Sequence, residues 1–258
     1  MSLSSSQLTY IQEVIKNSLR EKFRKYTPET KYMPFHFRLL GKDRMALYSF
    51  IHSLNTKFGT SIFEPVAVAL AKQKFKDAKR KVVVGTNISE DAHRVIQMIM
   101  DNLITARQEP NKNNEIGLIK SVCRKGKMNK VKPTEADIWV EDYDGTIFLF
   151  DLKTVKPNIG DFKEFKRTLL EWTAIVLANN DKMKIKTAIA IPYNPYEPKP
   201  YERWTIRGML DLREELYVAN EFWDFLGGEG SYEELLNCFE RAGIELKPEV
   251  DAYFSKFK

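Results

Sequence analysis

Two acidic residues and a lysine near the middle of the chain have the types and spacing that a divalent-metal site requires. Asp137 opens one apolar segment, and the triplet that runs from Asp151 to Lys153 closes the next one. Apolar runs on either side of an Asp-Gly turn predict a β-hairpin. Side chains two positions apart share one face of a strand, so Asp151 and Lys153 point together. The hairpin is long enough to bring Asp137 beside them.

Two carboxylates and an ammonium group at the rim of a sheet suit metal-dependent cleavage of phosphodiester bonds. Mg²⁺ prefers oxygen ligands and keeps several waters, so one or two carboxylates and a phosphate oxygen are enough to hold it. The ion lowers the pKa of a bound water and neutralises charge at the phosphate, and Lys153 can orient that water or stabilise the transition state. The alternative is a surface hairpin whose charges are only solvated. The apolar run that surrounds Asp151 favours the functional interpretation, because ionised groups are seldom found in such a strand without a partner.

The order of acid, hairpin and Asp-x-Lys resembles the PD-(D/E)XK nuclease superfamily and, within it, the type II restriction endonucleases. The first half of the motif departs from the pattern, since Ala136 stands before Asp137 and the nearest proline is Pro133. Further likeness comes from five segments of the chain. The segment 59–70 is similar to the first core helix of these enzymes, the segments 151–158 and 165–172 are similar to the TdeIII-type group, and the segments 221–228 and 232–236 recur near the C-termini of restriction enzymes.

The resemblance implies an α/β fold with a restriction-endonuclease-like core, in which a mixed β-sheet is flanked by helices and further helices lie at both ends of the chain. It implies Mg²⁺ as the cofactor, with Asp137 and Asp151 as ligands, Lys153 as the residue that positions the attacking water, and Glu64 as a third acid of the metal site. The TdeIII-type likeness implies the interrupted palindrome GGNCC as the recognition sequence.

Several of these acids have plainer interpretations. Glu64 near a helix start can simply interact with the helix dipole. Glu135 lies two residues before Asp137 on the same face and is an alternative first carboxylate. Glu171 and Arg167 have the spacing of a surface ion pair, although in restriction enzymes the corresponding helix often touches the active site. The three histidines lie far apart on segments that look structural, so a histidine-based metal site is not expected: His36, His52 and His93.

Basic residues are concentrated where DNA contacts would be useful. One group leads directly into the proposed site with no acid among its members: Lys120, Arg124, Lys125, Lys127, Lys130 and Lys132. Arg38 and Lys42 flank a short apolar segment nearer the N-terminus. Such groups bind phosphates with salt-sensitive and sequence-independent affinity, although a solvated loop is the alternative for each.

Composition agrees with a DNA-binding enzyme and argues against several other classes. The chain of 258 residues has a formal net charge of +6, 43% hydrophobic residues and 29% charged residues. It contains no apolar run of the roughly 20 residues that a bilayer requires, and its start lacks a secretory signal pattern. Two cysteines without metal-ligand spacing fit reduced thiols. We therefore expect a prokaryotic cytoplasmic protein without membrane partners.

Hydrophobic periodicity predicts the order of the elements. Helices are expected over 7–26, 43–54, 63–78 with Ser61 as N-cap, 89–107 and 161–177. Strands are expected over 116–123, 137–141, 146–153 and 186–192, and 81–85 is either a strand or the end of a helix. Residues 193–201 form an irregular connection, from which Tyr193 to Arg203 could read base edges, and the chain is helical from about 207. We expect a single nuclease domain with an N-terminal helical part (1–58), a catalytic α/β core (59–192) and a C-terminal helical part (193–258).

The sequence thus predicts a type II restriction endonuclease that hydrolyses double-stranded DNA with Mg²⁺, acts as a homodimer on a palindromic site and has a cognate DNA methyltransferase as its genetic partner. Two alternatives stay open. One is a PD-(D/E)XK nuclease of DNA repair or recombination, and the other is a non-catalytic DNA-binding protein of the same fold.

Overall fold

The computed structural model describes residues 3–28, 33–153, 161–201 and 208–257, without the side chain of Thr56. Within these residues a five-stranded mixed sheet has the strand order β1-β2-β3-β4-β5. The strands are β1 (Asp77–Ser89), β2 (Met128–Glu141), β3 (Thr146–Leu152), β4 (Lys184–Ile191) and β5 (Leu216–Val218). The expected mixed sheet flanked by helices is confirmed.

Helices surround this sheet and make up most of the two terminal parts. They are α1 (Ser5–Lys25), α2 (Pro34–Leu40), α3 (Lys42–Phe58), α4 (Glu64–Lys74), α5 (Glu90–Ile104), α6 (Lys112–Val122), α7 (Asp161–Asn179), α8 (Asn220–Gly227) and α9 (Ser231–Ser255), with a π-helical turn (Gly59–Phe63) between α3 and α4. In the ranges that the structure covers, no helix is both long and apolar enough to span a membrane.

The sheet combines an antiparallel half with a parallel half. β2 pairs with both β1 and β3 in antiparallel fashion. β3 and β4 are parallel and are connected through α7, as the sequence predicts for a β-α-β crossover, and β5 adds a second parallel pairing. Because parallel neighbours need a long connection, α7 must lie across the sheet, where it packs against β1 and β4.

The two faces of β3 contact different helices. The rings of Phe148 and Phe150 lie 5.0 and 5.7 Å from the ring of Phe225 in α8. Lys153, just after the strand and on the opposite side by alternation, has its ammonium group 4.7 Å from the ring centre of Phe165 in α7. The Asp-x-Lys triplet therefore projects toward the α7 side of the sheet.

The predicted strand over 116–123 is wrong, because this segment is helix α6. Asn111 caps the helix by accepting a hydrogen bond from the backbone N–H of Asn114 at 2.9 Å. The buried positions follow helical spacing and include two charged residues: Lys112, Glu115, Ile119 and Cys123. Since buried charges do not read as part of an apolar stripe, the helical period was hidden in the sequence.

Several boundaries also differ from the prediction, and β2 begins at Met128 rather than at 137. Ser61 is not an N-cap: its hydroxyl donates to the carbonyl of Lys57, because the chain passes from α3 through the π-helical turn into α4 without an interruption. α4 ends at Lys74, and the following residues belong to β1, which begins at Asp77 and extends well beyond 81–85. The chain expected to be helical from about 207 is irregular over 208–215 and then forms β5, a short strand that completes the sheet, before α8 begins at Asn220.

Candidate active site

A cleft of about 1330 Å³ lies where α4, β2 and β3 meet, and all four proposed catalytic residues line it: Glu64, Asp137, Asp151 and Lys153. These residues come from three separate elements. The helix α3 reaches the cleft with Asn55 and Phe58, and the C-terminal helices contribute an apolar wall.

The hairpin of β2 and β3 holds the two aspartates next to each other. Ile138 pairs with Phe150 in the antiparallel register, so Asp137 and Asp151 occupy the next opposed positions and their side chains share one face. The backbone N–H of Leu152 donates to Oδ2 of Asp137 at 2.7 Å. This bond fixes the Asp137 carboxylate at the end of β3.

Lys153 is held against the buried aspartate. Its Nζ lies 2.7 Å from Oδ1 of Asp151, and the ring of Phe165 lies beneath the ammonium group. Both contacts hold the ammonium group in place, the second through the cation–π attraction. The side chain is still 28% exposed, which leaves its ammonium group within reach of a molecule in the cleft.

Glu64 enters the cleft at the point where the π-helical turn becomes α4. Such turns are uncommon and often occur at functional sites. The side chain is 2% exposed, and its Oε2 accepts no hydrogen bond from any residue that the structure describes. Burial and the neighbouring Asp137 both raise the pKa of Glu64 above its ordinary value.

Burial also raises the pKa of Asp151 to about 6. Lys153 opposes this shift, and the adjacent Asp137 carboxylate adds to it. Desolvation and a like charge both disfavour an ionised carboxyl group. The site therefore concentrates negative charge that the protein itself neutralises only in part.

These residues fit a hard divalent cation. Carboxylate oxygens are the ligands that Mg²⁺ prefers, and the unpaired Oε2 of Glu64 is an acceptor with unused capacity. Among the described residues, no three His, Cys, Asp or Glu side chains are already gathered closely enough to enclose a metal.

The other candidate acids lie at different distances from this centre. Glu135 is exposed and lines the cleft. Glu171 is half-buried, and burial raises its pKa. Arg167 donates to the side chain of Gln97 at 2.9 Å, and no ion pair between Arg167 and Glu171 is present among the described residues. The three histidines are exposed and none belongs to the cleft lining: His36, His52 and His93.

The basic residues are spread over a wide surface. Lys132 lines the cleft, whereas Arg124 donates to the carbonyls of Ala178 and Asn179 at the end of α7. The remaining members are exposed on α6, the following turn, β2, α2 and α3: Lys120, Lys125, Lys127, Lys130, Arg38 and Lys42. From the predicted base-reading segment, Tyr193 and Pro195 reach the cleft, while residues 202–207 lie outside the described residues, as do residues 154–160 of the Asp-x-Lys segment.

Two features of the site were not predicted from the sequence. Nε1 of Trp172 in α7 donates to Oγ1 of Thr134 at 2.9 Å, which anchors β2 three residues before Asp137. The apolar wall includes Phe63, whose ring lies 5.9 Å from that of Trp223. A tryptophan in an amphipathic stripe predicts a core position, so its polar contact had no signal of its own.

Comparison with known proteins agrees with this geometry. Residues 3–243 match the sequence model of a family described as type II restriction endonuclease, HinfI. The chain is 26% identical over 221 residues to the type II restriction enzyme HgiCII of Herpetosiphon aurantiacus, with 84% of this chain and 80% of that protein covered. It is 30% identical over 227 residues to the type II restriction enzyme MjaII of Methanocaldococcus jannaschii, with 76% of this chain and 58% of that protein covered.

A fold of this kind, with acids and a lysine gathered at one edge of a mixed sheet, is consistent with the PD-(D/E)XK superfamily. The chain belongs to the HinfI family of type II restriction endonucleases, which are site-specific deoxyribonucleases.

Proposed function

We propose that this protein cuts double-stranded DNA at a specific sequence with Mg²⁺ as its cofactor, and that Asp137, Asp151 and Glu64 hold the ion. The observation that carries the proposal is the juxtaposition of Glu64 with the hairpin acids, because Oε2 of Glu64 is buried without a hydrogen-bond partner among the described residues. Bound Mg²⁺ would supply an acidified water and neutralise charge at the scissile phosphate.

The side chains and backbone around the cleft would position the ion's ligands and the attacking water. The Leu152 N–H keeps Asp137 directed at the cleft, and Asp151 holds Lys153 in place. From that position the Lys153 ammonium group can orient the attacking water or donate to the charged phosphate oxygens of the transition state. The apolar wall reduces the access of bulk water, which strengthens these interactions.

DNA is proposed to approach over the basic surface near the cleft. Lys132 lies at the cleft itself, and Lys130, Lys127, Lys125 and Lys120 extend the positive surface along β2 and toward α6. Arg124 is the least available of this group, since its guanidinium group already contacts two carbonyls. Arg38 and Lys42 would contact phosphates from a second direction.

The finer proposals concern specificity and biological setting. The TdeIII-type likeness supports GGNCC as a recognition sequence to test, and a palindromic site supports a homodimer. A cognate methyltransferase and a place in the prokaryotic cytoplasm follow from the restriction role. Membership of the HinfI family favours restriction over the repair or recombination nuclease and over a non-catalytic DNA-binding protein.

The test is digestion of long unmethylated DNA with and without Mg²⁺ by the wild type, by Lys153→Ala and by Lys184→Ala. Lys184 is a matched control because it is an exposed lysine paired with Asp144 beyond the opposite end of β3. We expect discrete fragments from the wild type and the control, only with Mg²⁺, and none from Lys153→Ala.

Mapping the fragment ends gives the recognition sequence and tests GGNCC. Protection of the same DNA by methylation within that sequence would support the proposed genetic partner. A smear would contradict sequence specificity. Cleavage that survives both chelation of Mg²⁺ and loss of Lys153 would contradict the proposed chemistry.

A further inference from the structure

The helices α2 and α3 expose a large apolar surface on the N-terminal part of the chain. Six side chains form this α2–α3 patch: Phe35, Leu39, Leu40, Leu47, Tyr48 and Ile51. Phe35 is 86% exposed and Leu39 is 82% exposed, and their spacing places them on the same face of α2. Contiguous apolar patches of this kind on a soluble protein mark interaction sites.

The helix α2 lacks the packing that would keep it folded. It has seven residues, none of which is buried, and it packs mainly on α3. A helix this short is marginal in water without tertiary support. A partner that covers Phe35 and Leu39 would supply that support.

The position of the patch relative to the cleft identifies the partner. Ile51 lies one helical turn from Asn55, and Asn55 and Phe58 of the same helix line the catalytic cleft. One turn of a helix advances by about 5.4 Å, so the patch borders the cleft. Two copies joined here by a two-fold axis would place one cleft on each side of that axis, as a two-fold symmetric DNA site requires.

The exposed apolar area of the patch is also sufficient for an interface between two copies. With about 200 Å² for a fully exposed side chain of this size, the patch offers on the order of 700 Å² per copy. Standard interfaces bury about 800 Å² per partner, a value that the patch reaches with a modest polar rim.

We propose that the α2–α3 patch is the interface between two copies of this chain, and that it seats their catalytic clefts on the two strands of one duplex. The inference rests on the proposed action at a palindromic site and names the surface that would build the dimer.

The rim of the patch predicts an unusual dependence on salt. Residues 33–52 contain Arg38, Lys42 and Arg44 but only one acid, Asp43. A symmetric dimer repeats these like charges on both copies, so without DNA added salt screens the repulsion and should tighten the dimer. DNA binding responds in the opposite direction, because salt weakens phosphate contacts.

The test is sedimentation equilibrium of the full chain, with and without duplex DNA, for the wild type, Phe35→Glu/Leu39→Glu, Leu47→Glu and Ile244→Glu. Ile244 is the control because it is 69% exposed on α9 and does not belong to the patch. All four side chains are exposed, so thermal unfolding should show a folded protein in every case. We expect the double substitution to weaken the dimer more than about 100-fold, since each change acts twice in a symmetric interface. Leu47→Glu should weaken it less, and Ile244→Glu should leave it unchanged.

If the double variant still dimerises, the proposed interface is wrong, whatever the cleavage activity of that variant. The proposal is also wrong if the wild type stays monomeric at about 100 μM with and without DNA. It is equally wrong if Phe35 binds phosphatidylcholine vesicles instead of a second copy of the chain. A wild type that dimerises through the patch but does not cut DNA would count against the proposed function and leave the interface intact.

Discussion

Two groups of buried charges in this protein differ in how completely their charges are balanced. In the first, Lys166 of α7 lies 2.5 Å from Glu115 and 2.6 Å from Glu215, and Lys112 lies 2.8 Å from Glu215. All four side chains are at most 3% exposed, and Lys112 also donates to Thr187 at 2.7 Å. Two ammonium groups meet two carboxylates, so the group is electrically closed.

The catalytic cleft has the opposite arrangement. Three carboxyl groups line one cleft at Glu64, Asp137 and Asp151, and Lys153 is in direct contact with Asp151. Buried charges are costly unless they are paired. The first group ties α6 and α7 to the segment before β5. The second has the unbalanced charge that the proposed Mg²⁺ would neutralise.

The largest expected effect is on cleavage when the catalytic group loses an acid. Asp137→Asn keeps the shape of the side chain and removes its charge, so we expect single-turnover cleavage to fall by roughly 10³-fold or more. The unfolding midpoint should not fall, because one source of repulsion on Asp151 is gone. A folded Asp137→Asn variant that cuts at the wild-type rate would show that the two charge groups do not differ in function.

Loss of a charge from the first group, here called the balanced group, should lower the stability of the fold. Glu215→Gln leaves Lys112 and Lys166 buried with one remaining carboxylate, so we expect a loss of about 3–5 kcal/mol in the free energy of unfolding. Glu214→Gln is the matched control, because the neighbouring Glu214 pairs with Lys186 at 3.0 Å in a partly exposed position and should lose less than about 1 kcal/mol. Urea unfolding measures both. Equal losses would mean that burial does not distinguish the two ion pairs.

Acid unfolding provides a second readout of this group. Burial alone would raise the pKa of Glu215, but Lys112 and Lys166 hold it below its ordinary value. A lowered pKa stabilises the fold above the unfolded-state value near 4.5, and that contribution is lost as the pH falls toward the folded-state value. The Glu215→Gln variant should therefore lose less stability than the wild type between pH 5 and pH 3. The difference should be roughly the contribution of one carboxylate.

Substitution of Asp151 should change the free energy of unfolding by a smaller amount and in the opposite direction. Its ionised carboxyl group is buried beside another acid, which raises its pKa to about 6. Asp151→Asn removes that charge and should increase the free energy of unfolding by about 1–3 kcal/mol near pH 8 without metal, while it abolishes cleavage. Chemical denaturation in a chelating buffer is the measurement. A loss of stability would show that the Lys153 pair outweighs the burial of the charge.

The smallest effect concerns DNA affinity. Lys132→Ala should weaken binding about 3–10-fold and reduce the slope of affinity against salt by about one, as for one phosphate contact. The control is Lys247→Ala on α9, where the lysine is exposed and paired with Asp251. Fluorescence anisotropy in Ca²⁺ at several salt concentrations separates the two variants. Equal slopes would place the DNA away from the cleft edge at Lys132.

The hairpin that carries Asp137 and Asp151 could be predicted because its signals are local. An Asp-Gly turn and alternating apolar residues fix the register, and the register fixes which side chains share a face. The place of Glu64 beside Asp137 was predicted only by resemblance, since contact between a helix and a strand about 70 residues later has no local signal. The π-helical turn that precedes Glu64 has no local sequence signal either.

The error at α6 has a physical cause that also concerns the balanced group. Lys112 and Glu115 lie on the buried face of that helix, and their partners Lys166 and Glu215 come from distant segments. A buried ion pair can be recognised only when both partners are known to meet. The same reason hides the polar contact of Trp172 with Thr134.

The most direct test of the difference between the two charge groups is thermal unfolding with increasing Mg²⁺ for the wild type, Asp137→Asn and Glu214→Gln. If the acids bind the ion with a dissociation constant of about 1 mM, about 10 mM Mg²⁺ stabilises the fold by about 1.4 kcal/mol. We expect a rise in the unfolding midpoint for the wild type and for Glu214→Gln, and almost none for Asp137→Asn. An equal rise in all three proteins would contradict this expectation.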